Sequence, residues 1–263
     1  MKNIAMNGAN GRMGRRLVAL GHADQRMNLA AAIEYAGSPD LGSDAGVAAG
    51  VGEIGVPFTS DYLPEFDAVI DFSTPAGCEV AVQECVAKNI PLVVATTGLS
   101  EEQVALVEDA CTKIPLVWAP NMSMAVNLTM KLVESAANSL KNVAAGVDVE
   151  ILERHHRFKE DSPSGTALKF GEIVKSAMGQ TSEAHGREGQ VGVRPNTELG
   201  YHAIRTGDNP GEHTIVFGML GETIELRVAA SNRDCYALGA IEAAIWLADK
   251  PVGKYNMYDV LGL

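Results

Sequence analysis

The sequence predicts an α/β chain in which a doubly wound parallel sheet is followed by a second, α+β domain with a mixed sheet. Three observations point there. The chain opens on a short apolar strand, a glycine-rich turn and an amphipathic helix. Buried strand, loop and helix then alternate to residue 119, the pattern of parallel strands joined by crossover helices. From Gly146 the strands lengthen and are linked by one helix and several loops, as in a mixed layer.

Residues 2–7 (KNIAMN) form the first predicted strand and enter Gly8-Ala9-Asn10-Gly11-Arg12-Met13-Gly14, after which Leu17, Val18 and Leu20 mark a helix. Glycine permits the tight turn and lets the backbone approach a pyrophosphate, which the free amides of the helix N-terminus attract. The spacing is G-x-x-G-x-x-G, with Asn10 where the common fingerprint has its second glycine. A second strand, 29–33, ends at Glu34, 20 residues beyond Gly14, where an acidic side chain can take the ribose hydroxyls. Together these make a Rossmann-type dinucleotide domain. A carboxylate repels a 2′-phosphate, and Tyr35 rather than arginine follows it, so the turn leans toward NADH over NADPH.

Residues 36–57 are rich in Gly, Ala, Ser and Asp and predict a surface loop with little regular structure. Residues 68–72 (AVIDF) are the next strand, with Thr74 as N-cap and Pro75 opening the helix behind it. A strand at 91–95 leads into the loop Thr96-Thr97-Gly98 and the capping box that starts at Ser100. Residues 115–119 complete the pattern. Ligands of such sheets sit beyond the carboxyl ends of the strands, so the loops at Gly8, Thr96 and Pro120-Asn121-Met122 are expected to line one cofactor site. A helix over 121–140, with Met124, Leu128, Leu132 and Ala136 on one face, carries the chain onward.

In the second half, strands are expected at 147–152, 201–205, 212–219 and 223–230, the last two joined as a hairpin through 218–222. Residues 179–196 are polar and glycine-rich and predict an excursion loop with His185 solvated. A final helix near 235–248 is expected to fold back on the first domain. The expected organisation is a dinucleotide-binding domain, 1–123, joined by a C-terminal helical segment, 235–263, and a substrate-binding and oligomerisation domain, 124–234.

The densest chemistry lies in residues 150–166, EILERHHRFKEDSPSGT. A strand is expected to end where His155 and His156 begin, and Ser164-Gly165-Thr166 precedes the helical run Ala167, Leu168, Phe170, Ile173, Val174. A strand end thus meets a helix start whose unpaired N–H groups and dipole attract carboxylate or phosphate, with His155, Arg157 and Lys159 adding positive charge. The plain structural alternative is a capped helix after a polar surface loop.

Composition narrows the field. The net charge of −12 argues against non-specific binding to nucleic acid or an acidic membrane, so any anionic ligand needs a local basic pocket. Four cysteines, at 78, 85, 111 and 235, form no C-x-x-C pair and fit reduced thiols and a cytoplasmic location. No apolar run reaches the ~20 residues of a membrane span.

With both centres in hand, the sequence resembles the 4-hydroxy-tetrahydrodipicolinate reductase (dihydrodipicolinate reductase) family over nearly its whole length. The most specific part is E-R-H-H-R-F-K-E-D-S-P-S-G-T-A from Glu153. It is supported by the turn G-A-N-G-R-M-G, A-T-T-G from Ala95, A-P-N-M-S from Ala119 and R-T-G-D-N-P-G-E-H from Arg205. The resemblance implies reduction of a cyclic dicarboxylate by NADH or NADPH, with loss of water, in diaminopimelate and lysine biosynthesis. It implies proton delivery by His155 and Lys159, and substrate binding by His156, Ser164, Gly165 and Thr166. Cofactor contacts are implied for Gly8, Ala9, Asn10, Gly11, Arg12, Met13, Glu34, Ala95, Thr96, Thr97, Ala119, Pro120, Asn121 and Met122. No metal is implied. Arg205 and Arg233 are second-tier candidates for a substrate carboxylate. Family members of this kind are cytoplasmic homotetramers joined through the second domain's sheet. Two rival classes remain open at this point: a different Rossmann reductase of amino-acid-derived imines or aldehydes, and a nucleotide-sensing regulator.

Overall fold

The computed structural model describes residues 1–263. In chain order the elements are β1 (Lys2–Asn7), α1 (Arg12–Ala23), β2 (Met27–Ile33), α2 (Ala45–Ala49), β3 (Phe58–Thr59), β4 (Ala68–Asp71), α3 (Pro75–Lys88), β5 (Leu92–Val94), α4 (Glu101–Ala110), β6 (Pro115–Trp118) and α5 (Met124–Leu140). There follow β7 (Asp148–His155), α6 (Gly165–Met178), β8 (Ser182–His185), β9 (Glu198–Arg205), β10 (Glu212–Met219), β11 (Glu222–Ala229), α7 (Asp234–Leu247), β12 (Gly253–Tyr255) and α8 (Met257–Leu261). The chain divides into two compact units, one of Met1–Met124 with Arg233–Leu263 and one of Ala125–Asn232.

The first unit is a seven-stranded parallel sheet in the order β12-β6-β5-β4-β1-β2-β3. Both faces are covered, so its strands are apolar on both sides, and strand alternation sends neighbours into opposite layers. Ile4, Met6, Ile70, Val93 and Val117 join Leu17 and Val18 of α1 and Ala240 and Ala244 of α7. Ala5, Val69, Leu92, Val94 and Leu116 join Cys78, Val82 and Cys85 of α3 and Val107 of α4. Full burial of a side chain of this size stabilises by about 1.5–3 kcal/mol. Thr74 caps α3 with Pro75 at its start, and Ser100 and Gln103 close a reciprocal capping box on α4.

Four expectations are corrected here. Residues 36–57 hold α2, whose N-cap Asp44 accepts N–H bonds from Gly46, Val47, Ile54 and Gly55; a five-residue helix is too short to show periodicity. The C-terminal segment is not one helix, because α7 is followed by the edge strand β12, paired parallel with β6, and by α8. Helix α5 begins at Met124 rather than Asn121, since Asn121 Oδ1 accepts the Ser123 N–H at 2.9 Å and holds a turn. Its buried face is Val126, Met130, Val133 and Ala137, while Leu128 and Leu132 of the expected stripe are 44% and 47% exposed. The helix is apolar on more than one side, so i, i+4 spacing alone could not choose the face.

The second unit carries a five-stranded sheet in the order β11-β10-β7-β9-β8. β7 lies at its centre, antiparallel to β10 and parallel to β9. Val149, Ile151, Glu153 and His155 alternate onto one buried face of β7, and α6 packs on the sheet with Ala167, Phe170 and Val174 inward. β10 and β11 form the expected hairpin. Residues 179–196 are not wholly a loop: β8 pairs parallel with the start of β9. Its sequence, SEAH, is polar and largely exposed, so it gives no alternating signal.

Gly14 tests the turn. A Cβ there would stand 2.1 Å from the Gly8 carbonyl oxygen and 2.6 Å from the Ala9 backbone. We expect G14A to lower stability by roughly 1–3 kcal/mol, read as a shift of the urea midpoint with an unchanged slope.

Candidate active site

In the first unit, β1 delivers the chain to Gly8, whose φ of +74° and contact with Ser73, 2.8 Å from a built Cβ, exclude any side chain. Ala9 is fully buried, and the N–H groups of Gly8 and Ala9 donate to the Ile33 carbonyl. Asn10 N–H donates to Glu34 Oε1 at 2.8 Å, and the Asn10 amide reaches Asp40 at 2.7 Å. Gly11 caps α1 without a side-chain acceptor, so the first turn, Arg12 and Met13, keeps amides available for an anion. Arg12 is exposed. This is a fit to a dinucleotide: close-packed glycines, an open helix start and a carboxylate at the end of β2.

The neighbouring loops leave the same edge of the sheet. Ser73 N–H donates to Thr96 Oγ1 at 3.0 Å, and Ser73 Oγ and Asn7 Nδ2 both donate to the buried Asp71, at 2.5 and 2.7 Å. Ala95 and Thr96 are buried and Thr97 is exposed. Ala119 N–H reaches the Val94 carbonyl, and of Ala119, Pro120, Asn121 and Met122 only Pro120 is well exposed. The structure thus gathers all of the sequence-derived cofactor residues at the carboxyl ends of β1, β2, β5 and β6.

In the second unit the organising group is a residue that sequence reading did not single out. Glu153 is 2% exposed and accepts four hydrogen bonds. Arg205 donates to both its oxygens at 2.8 Å, Ser164 N–H to Oε1 at 3.0 Å, and His155 Nδ1 lies 2.5 Å from Oε2. Strand register makes this cluster: Arg205 on β9 stands opposite His155, and His213 on β10 stands opposite Glu153. Burial alone would raise the Glu153 carboxyl, but the bonds from Arg205, His155 and Ser164 outweigh it and hold it below the usual range. A period of two places 153 and 155 on one face of β7, and that was the available signal for Glu153.

His155 is 8% exposed, and burial together with the charges of Lys159 and Arg205 pushes it below the ordinary histidine range despite Glu153. Its Nε2 stands beside Gly211, where φ is +138° and a Cβ would come within 2.8 Å of that nitrogen. His155 also makes an edge contact with His213, at 5.2 Å between rings. Ser164 caps α6 by accepting the Ala167 N–H, so its hydroxyl proton is free to donate to His213 Nε2 at 3.0 Å. Burial pushes His213 down to about 4.

The remaining predicted residues lie around this cluster. His156 is half-buried and its Nδ1 is buried without a protein partner. Lys159 pairs with Asp161 at 2.7 Å and closes a turn through its N–H to the His156 carbonyl. Open space surrounds the position of a Cβ at Gly165, and Thr166 follows it in the first turn of α6. An orphaned imidazole nitrogen, an ammonium and a helix start with room before it are the parts an anion pocket requires. The terminal nitrogens of Arg205 are engaged by Glu153 and by the Ile204 and Asp161 carbonyls, and its Nε is buried without a partner, so it braces the cluster rather than reaching out of it. His185 is half-exposed and stacks on Tyr201.

A Rossmann unit joined to a separate α+β unit defines the class: a nicotinamide-dependent oxidoreductase. Residues 2–122 match the family described as dihydrodipicolinate reductase, N-terminus, and residues 125–261 its C-terminus. The 4-hydroxy-tetrahydrodipicolinate reductase of Rhodopirellula baltica is 57% identical, the match covering 99% of this chain and 96% of that protein. The reductase of the same name from Alkalilimnicola ehrlichii is 45% identical, over 99% of this chain and 98% of that one. Among solved structures, a dipicolinate-bound dihydrodipicolinate reductase from Paenisporosarcina sp. TG-14 shares the fold, with a TM-score of 0.76, 24% identity and 98% of each chain covered. The chain belongs to the dihydrodipicolinate reductase family.

The buried histidines make stability depend on pH with a definite sign. His213 stays neutral when folded down to about 4, whereas an unfolded histidine takes up its proton near 6.5. Acidification from pH 6.5 toward 4 therefore protonates the unfolded chain first and destabilises the fold, and nothing is lost above pH 6.5. The loss from His213 reaches on the order of 3 kcal/mol by pH 4. We expect urea denaturation between pH 7.5 and 4.5 to show this decline, and H213Q to show a shallower one.

Proposed function

We propose that this chain reduces 4-hydroxy-tetrahydrodipicolinate to tetrahydrodipicolinate, consuming NAD(P)H and a proton and releasing NAD(P)+ and water. The first unit holds the dinucleotide, and the second holds the dicarboxylate. The observation that carries the reading is the end of β7, where His155, His156 and Lys159 meet the start of α6, in a chain that belongs to this family along its whole length. The nicotinamide, when bound, supplies a hydride. The chain's own residues bind and move the proton. The α6 amides at Gly165 and Thr166, the Ser164 cap and His156 take the substrate carboxylates. Lys159 offers charge to the nitrogen that gains electron density, and His155 exchanges a proton at Nε2, its Nδ1 being committed to Glu153.

In the first unit Gly8 to Met13 take the pyrophosphate and Ala95 to Thr97 and Ala119 to Met122 the nicotinamide end. Glu34 spends Oε1 on the Asn10 amide, leaving Oε2 for the ribose hydroxyls; a carboxylate there, with Tyr35 exposed beside it, favours NADH. The face of the second unit's sheet turned away from α6, with Leu152 and Ile204 more than a third exposed, suits assembly of a homotetramer. No helix is long and apolar enough to cross a membrane; a cytoplasmic location suits the biosynthetic role proposed here.

Purified protein given NADH and freshly generated 4-hydroxy-tetrahydrodipicolinate should oxidise the cofactor, followed at the nicotinamide absorbance band. No oxidation by folded, NADH-binding protein refutes the assignment. K159A should lower kcat about 10²- to 10⁴-fold while the NADH dissociation constant stays within about twofold; equal loss of both would point to misfolding. E34A should weaken NADH more than NADPH, and an unchanged ratio in fluorescence titrations would remove Glu34 from the ribose site.

A further inference from the structure

We propose that Glu153 is a positioning residue, fixing His155 as the Nδ1–H tautomer so that Nε2 is its proton-exchanging atom, and that Arg205 holds Glu153 in that task. The inference deepens the reductase reading and rests on it for the reaction His155 serves.

The geometry is one-directional. An ionised carboxylate only accepts, so each of the four contacts to Glu153 requires a donor. Arg205 and the Ser164 N–H are donors by nature, and His155 must therefore carry its proton on Nδ1, 2.5 Å from Oε2. Nε2 is left as a lone pair beside Gly211. When Nε2 takes up a proton, the same carboxylate stabilises the imidazolium; when it gives the proton up, the tautomer is restored without ring rotation. A histidine held by a carboxylate in a serine-protease triad is organised by the same rule.

Arg205 has a second effect. Glu153 accepts an N–H from Ser164, the cap of α6, and so places a full negative charge beside the helix end that is proposed to take the substrate's anions. Without compensation that charge would repel them. The bidentate guanidinium cancels it, and its further bond to the Asp161 carbonyl at 2.6 Å ties down the loop that carries Lys159. The charged and titratable groups around His155 are then Glu153 on its own strand, Arg205 at the end of β9, His213 on β10, and Lys159, paired with Asp161, in the following loop.

Glu153→Gln alone leaves the half-buried Arg205 without its partner and invites misfolding. The double variant E153Q/R205M removes both charges while keeping similar volumes. Its amide oxygen can accept the Ser164 N–H, and its amide N–H then faces His155 Nδ1, which must become the acceptor. Imidazole ¹⁵N shifts of histidine-labelled full-length protein read the tautomer directly. Wild type should show His155 protonated at Nδ1 above pH 7, and E153Q/R205M should show it protonated at Nε2. In the same variant kcat should fall at least about tenfold, NADH affinity should stay within about twofold, and the pH-profile limb due to His155 should move to lower pH, because Glu153 raises that group more than Arg205 lowers it.

A wild-type His155 protonated at Nε2 overturns the proposal whatever the variant does. So does a folded variant whose kcat falls with no change of tautomer, which is a merely structural effect, or whose tautomer changes with kcat intact. Absence of turnover in the wild type itself sinks the reductase reading instead, and the tautomer measurement still stands as a test of the geometry.

Discussion

A carboxylate buried at the centre of a sheet is the interaction on which the second unit depends. Withdrawing it from water costs several kcal/mol, and the cost is offset only if every oxygen finds a donor. Glu153 finds four bonds, and they fix three segments: Arg205, with two of them, the end of β9, His155 the end of β7, and Ser164 the start of α6. Because side chains alternate along a strand, a slip of β9 or β10 by one residue would turn Arg205 or His213 to the opposite face. The pairing of the sheet and the chemistry of its end are therefore one constraint.

The first unit solves a similar problem by other means. The anion site proposed there is made of main chain, where Gly8 and Gly14 let the turn and helix approach more closely than any Cβ allows. Amides carry no net charge, so such a site is compatible with a protein of net charge −12. The second unit follows the same economy of cations: a helix start, one ammonium and an unpartnered imidazole nitrogen are what the proposed function offers the ligand, while the guanidinium of Arg205 is turned to Glu153.

What could be read from the sequence follows from how local each signal is. The glycine turn, the Thr74-Pro75 start and the Ser100 capping box are set by residues within a few positions of each other, and the structure has them where the sequence placed them. β8 and β12 are short edge strands with little buried surface, and α5 offers two apolar faces; there the deciding contacts lie far along the chain. The cluster at the end of β7 divides in the same way. His155, His156, Lys159 and Ser164 stand out as one stretch, and Glu153 follows from alternation. The part played by Arg205, 52 positions from Glu153, and by His213 depends on strand register, which no single stretch contains.

A shared fold does not by itself select one reductase among many, since a Rossmann unit and a mixed sheet serve unrelated substrates. The selective feature is the polar end of β7. Apolar residues of similar volume at 153, 155 and 205 would hold the sheet together as well or better, because a buried ion pair contributes little net stability against a hydrophobic replacement. A chain that only sensed a dinucleotide would have no use for a buried carboxylate that gathers a histidine and an arginine at the end of a strand. The arrangement is accounted for by the proposed reaction, in which a dianionic substrate is bound and a proton delivered at the same place, and the residues that would do both lie together at the end of β7 and the start of α6.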